Sequence, residues 1–142
     1  MEKRITQTLV GGLVGTVIMT IVTMVAPLMG MPKMVPPEML SGMMGFPIIV
    51  GWMMHFMIGI GFAAVYVFVF GKAFTSLNVI LKGALFGIAA FVFAQIMLFM
   101  IGEVMGGMPA SESPMLMIIG NFMGHIVFGV AVAKTVDVLS AE

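Results

Sequence analysis

Gly51-Trp52-Met53-Met54-His55-Phe56-Met57-Ile58-Gly59 places one ionisable imidazole inside an apolar run, with a glycine four residues away on each side. The same pattern returns seventy positions later, where Asn121-Phe122-Met123-Gly124-His125-Ile126-Val127-Phe128-Gly129 carries the only other histidine. Residues four apart share one face of a helix, so each imidazole looks out of a strip cleared of bulk. Apolar residues surround both stretches on every face. That is the pattern of a helix buried in a large core or in lipid, not of an amphipathic surface helix.

Composition decides between those two. Hydrophobic residues make up 61% of the 142-residue chain and charged residues only 8%, with a mean hydropathy of +1.22. Such a balance lies far outside that of soluble domains. A hydrocarbon core of ~30 Å needs ~20 apolar residues per helix, and the chain has room for four such runs and no separate soluble domain. Net charge is zero and the cations are scattered, so no footprint for nucleic acid exists. Cysteine is absent, which excludes disulfides, iron–sulfur clusters and thiolate metal sites.

The expected fold is therefore all-α: a polytopic membrane protein, one four-helix transmembrane bundle covering residues 1–142. Its spans are read at 9–29, 47–70, 79–101 and 114–136, with Met/Pro/Gly-rich loops at 30–46 and 102–113 on one side. Met1-Glu2-Lys3-Arg4 before an apolar run imitates a signal peptide, but Leu9 to Met29 is too long for one, and the segment reads as a retained first span. Pro27 should kink or end that span. Pro36-Pro37-Glu38 reads as the start of a short surface helix, and Ser76 or Asn78 as a cap for span three. With both termini in the cytoplasm, Lys3, Arg4, Lys72, Lys82 and Lys134 lie inside and only Lys33 outside, as the positive-inside rule demands.

The halves resemble each other. Gly11-x3-Gly15 answers Gly83-x3-Gly87, Gly30-Met31-Pro32 answers Gly107-Met108-Pro109, and His55-x3-Gly59 answers His125-x3-Gly129. Two similar helical hairpins in parallel repeat put the histidines at matching depth on helices running the same way. At about 1.5 Å per residue, His55 lies roughly 12 Å below Pro47 and His125 roughly 16 Å below Pro114. Thr20, Thr23 and Gln95 fall in the same layer, which should face the bundle interior because polar groups are costly against lipid.

Three functions suit this pattern. The leading one is a non-enzymatic membrane subunit that binds a ligand or protein partner around His55 and His125. No mid-span carboxylate, nucleotide loop or nucleophile–base–acid set points to an enzyme or a proton-coupled transporter. The second is a b-type haem redox protein, with His55 and His125 as axial ligands and Gly51, Gly59, Gly124 and Gly129 giving the porphyrin clearance. The third is Cu(I) binding or passage. Nineteen methionines are present and all but Met1 lie in the outer half, with none from Ile58 to Ile96 and none after Gly124. Thioethers are soft ligands for Cu(I). Met29-x-Met31 and Met39-x3-Met43 have chelating spacings. Packing explains methionine as well, since it fills irregular apolar gaps, and the GxxxG faces suit either contacts within the bundle or a homo-oligomer.

The chain resembles a family of small bacterial four-helix inner-membrane proteins known only as a domain of unknown function. The likeness runs through Pro27-Leu28-Met29-Gly30-Met31-Pro32-Lys33-Met34, Met39-Leu40-Ser41-Gly42-Met43-Met44-Gly45, the Gly51–Gly59 stretch, Lys82-Gly83-Ala84-Leu85-Phe86-Gly87 and Gly124-His125. It implies a four-span topology and a bacterial inner membrane, and assigns no activity to any residue.

Overall fold

In lipid no water can satisfy a bare peptide group, so long apolar runs must close their hydrogen bonds internally as helices. The computed structural model describes residues 1–105 and 113–141. These form α1 (Glu2–Val25), α2 (Pro36–Met44), α3 (Ile48–Val65), a π-helical turn (Tyr66–Phe70), α4 (Gly71–Ala73), α5 (Val79–Met105) and α6 (Pro114–Ala141). Four helical segments are long and apolar enough to cross a membrane: Glu2–Met29, Ile48–Ala73, Val79–Val104 and Pro114–Ala141. No strand occurs among the described residues.

The punctuation is chemical. Pro27 cannot continue α1, which tightens into a 3-10 turn (Ala26–Met29) and stops at Gly30 in the left-handed region, φ 82°. Pro36 opens α2, whose first turn holds Glu38 and which ends at Gly45, φ 67°. Asn78 Oδ1 accepts the Leu81 amide at 2.9 Å, capping α5. The first helix extends back to Glu2, ahead of the apolar run that begins at Leu9, and its first two turns have a polar partner: Gln7 Nε2 donates to Ser140 Oγ at 2.9 Å and Lys3 Nζ to the Ser140 carbonyl at 3.1 Å. The same contacts hold α6 helical past Val136. α5 likewise runs through Gly102 to Met105. Gly107-Met108-Pro109 lies outside the described residues.

α1 and α6 form the central pair, with α3 packed on α1 and α5 packed on α6. This ring order places α3 and α6 on a diagonal. Near the termini the ring is closed by aromatic rings: Phe62 meets Phe93 with centroids 5.7 Å apart, and Tyr66 meets Phe86 at 5.1 Å. At the far end α2 lies against α3. Val132, Phe86, Phe128 and Tyr66 fill the core of the half near the termini.

The glycine repeat is used unequally. Cβ atoms on Gly83 and Gly87 would strike the α6 backbone at Val130 and His125, so α5 uses its pair on its own hairpin partner. Gly11 and Gly15 instead face Val132, Val136 and Phe128 of α6, across the bundle, and Gly12 meets Ile60 of α3. Gly120 and Gly124 are covered by Met34, Met19 and Thr23. All three GxxxG faces are thus occupied within one chain, and self-association would have to use another surface.

Candidate functional site

Each predicted polar residue of the layer has a defined place. Thr20, Thr23, His55 and His125 are buried, and Gln95 is half-buried. They form two clusters. On one side Thr20 Oγ1 donates to the Thr16 carbonyl at 2.7 Å, Thr23 Oγ1 donates to the Thr20 carbonyl at 3.0 Å, and His55 Nε2 lies 2.9 Å from Thr20 Oγ1. On the other, His125 Nδ1 lies 2.8 Å from the Asn121 carbonyl, and Asn121 Nδ2 donates to Gln95 Oε1 at 2.8 Å. Thr23 joins them, since a Cβ on Gly124 would lie 3.2 Å from its methyl.

These bonds fix the tautomers. A carbonyl only accepts, so His125 holds its proton on Nδ1. Thr20 has one hydroxyl proton, already donated to Thr16, so it accepts from His55 Nε2–H. A lone pair remains on His55 Nδ1 and on His125 Nε2, and no hydrogen bond among the described residues engages either atom. One ring nitrogen tied to an oxygen acceptor and the other presenting its lone pair is how metal-binding imidazoles are held. Around the ring of His125, Phe91 stands edge-on at 5.8 Å.

The glycines beside the histidines have neighbours. A Cβ on Gly51 would collide with the Pro37 carbonyl of α2, on Gly59 with Thr16 Oγ1, and on Gly129 with the Gly83 carbonyl and Gly87 backbone. Gly124 faces Thr23 and Met19. Among the described residues the clearance at these glycines is taken up by protein, so they leave no slot for a flat macrocycle beside either imidazole. The residues present therefore do not fit haem.

The methionines divide in two. Met19 is 7% exposed and packs on Gly124, next to His125. Met34 is buried, and the methyls of Met31 and Met34 close over Gly120. Met29 is exposed, as are Met24, Met53, Met57, Met97, Met100, Met115 and Met123, all on the outer skin of the bundle. Met39 and Met43 are half-buried on α2. Met108 lies outside the described residues.

Asn121, Thr16 and Met19 were not singled out as site residues from the sequence. For Asn121 the signal was present, an amide one helical turn before a histidine. For Met19 there was none, because its burial depends on which face of α1 meets α6.

A family model matches residues 2–142. The chain belongs to DUF6789, a family of unknown function. No curated protein and no solved structure matches it. Membership of DUF6789 therefore assigns no chemistry to the histidine pair, and a functional reading must start from the geometry.

Proposed function

We propose that this DUF6789 protein is a non-enzymatic membrane protein that binds one soft monovalent metal ion, Cu(I), between His55 and His125. The observation that carries the reading is the pair of unengaged imidazole nitrogens, each on a ring whose other nitrogen is tied down. No cluster of three or more His, Cys, Asp or Glu side chains occurs among the described residues. Burying a divalent ion without a counter-charge is costly, and a monovalent one less so. Neutral imidazole suits copper, and Met19, packed on Gly124 one residue before His125, brings the soft thioether that would select its reduced form. The exposed methionines of the outer skin favour a supporting role, as an adaptable surface for lipid or for a protein partner.

The orientation belongs to the proposal as well. Lys3, Arg4, Lys72, Lys82 and Lys134 lie at the end carrying both termini and Lys33 at the other, which favours cytoplasmic termini in a bacterial inner membrane.

Competition against a chromophoric Cu(I) chelator, under reducing conditions in detergent, tests the reading. One Cu(I) per chain is expected, with affinity falling about ten- to a hundredfold in Thr20→Val, the loss typical of an outer-shell partner. His55→Ala and His125→Ala should abolish binding while helical circular dichroism stays unchanged. Equal copper uptake by these variants and the unaltered protein would sink the metal site.

A further inference from the structure

The half of the bundle near the termini has its own polar feature, remote from the histidines. A cavity of about 220 Å³ opens where α1, the π-helical turn, α5 and α6 meet, lined among others by Gln7, Tyr66, Lys72, Lys82, Asp137 and Ser140. That is below the roughly 300–1,000 Å³ of pockets for drug-sized ligands, so it suits one small polar group. Two of its walls are anchored: Tyr66 is 4% and Gln7 7% exposed, and Gln7 is held by Ser140, whose hydroxyl donates to the Val136 carbonyl at 2.7 Å.

The charges are arranged unusually. Lys72 and Lys82 come from either side of the turn between α4 and α5, and Asp137 comes from α6. The only ion pair among the described residues is Lys33–Glu38 at the opposite end, so neither lysine closes on Asp137. Both lysines line one cavity, and Asp137 belongs to the same lining. Val79, the first residue of α5, also lines the space, which adds the positive end of a 27-residue helix beside the lysines. The π-helical turn Tyr66–Phe70 contributes Tyr66 and Val67 to the lining, and such turns often occur at functional sites.

We propose that this cavity binds an aminophosphate group, with the phosphate against Lys72, Lys82 and the α5 terminus, and the ammonium against Asp137. A phosphate alone would leave the carboxylate opposed, and an amine alone would leave two lysines unmatched. The shared chemistry has two sources: the headgroup of phosphatidylethanolamine, or free phosphoethanolamine.

Native mass spectrometry of the detergent-purified full chain separates them, using phosphatidylethanolamine, phosphatidylglycerol, phosphatidylcholine and free phosphoethanolamine as probes. Phosphatidylethanolamine should be retained about fivefold over phosphatidylcholine, whose quaternary ammonium cannot donate to Asp137, and over phosphatidylglycerol. Asp137→Asn should erase this preference while keeping phosphate binding, and Lys72→Ala with Lys82→Ala should remove both. Lys134→Ala, an exposed lysine at the same end but outside the cavity, should change nothing. Free phosphoethanolamine binding as strongly as the lipid would assign the site to the soluble compound. Equal retention of all probes, or a Lys134→Ala effect as large as that of the double variant, overturns the proposal.

Discussion

The most informative single contact in the molecule is a hydroxyl occupying the place of a missing methyl. Thr16 is 1% exposed, and its Oγ1 has no hydrogen-bond partner among the described residues. It sits where Gly59 would carry a Cβ, so the close approach leaves room only for a weak Cα–H···O contact. Gly59→Ala should therefore cost ~1–3 kcal/mol by overpacking. Adding Thr16→Ala should recover more than half of that, because the obstacle is a side chain. Gly61 has open space around it, and Gly61→Ala should be neutral or slightly stabilising. Steric-trap or denaturant unfolding in micelles reads these three variants and Thr16→Ala alone, and additivity of Gly59→Ala with Thr16→Ala would disprove the account. Gly129 offers the contrast: its neighbours are the backbone of Gly83 and Gly87, which no side-chain deletion can move.

At the scale of elements, α2 carries the most testable role. Pro37 is fully buried, and the Pro37 carbonyl and Ser41 rest on Gly51 of α3, so the short helix is held down at a point where any Cβ would intrude. The exposed Lys33–Glu38 pair adds little, as solvated ion pairs do. Gly51→Ala should release α2 without unfolding the spans. Amide exchange across residues 36–44 should rise by an order of magnitude or more while that of α5 and α6 stays as it was. Uniform acceleration along the chain would show instead that α2 and the spans unfold as one unit. Much of this level was legible in the sequence: Pro27 and Gly30 end α1, Pro36 starts α2, and Asn78 caps α5, because these signals act within a few residues of chain. How far α1 and α6 continue beyond their apolar runs was not legible, since Gln7, Lys3 and Ser140 support each other only once the two helices lie side by side.

For the whole molecule, the two halves of the interior differ in kind. Tyr66, Phe86, Phe128 and Val132 form an apolar core in the half near the termini, with Gln7 and Thr8 buried beyond it, while the hydrogen-bonded histidine layer makes the other the more polar half. The proposed orientation makes the polar half periplasmic, and the absence of cysteine makes this easy to check. In intact cells Leu28→Cys, on an 87% exposed side chain of the 3-10 turn that ends the first span, should react with a membrane-impermeant thiol reagent. Ser76→Cys, in the turn before α5, should react only after permeabilisation. The opposite pattern would invert the topology and reject the positive-inside reading.

Hydropathy, run length and the placement of proline suffice to make this chain a four-span helical bundle, because lipid leaves an apolar segment no other way to close its peptide hydrogen bonds. Those local quantities also mark His55 and His125 as the groups most in need of explanation. Three-dimensional packing determined what the neighbouring glycines are for, which methionines face inward, and which nitrogen of each imidazole keeps its lone pair. Each of these depends on the rotation of one helix about its own axis relative to the next. In a helix that is apolar on every side, no periodicity along the chain encodes that angle.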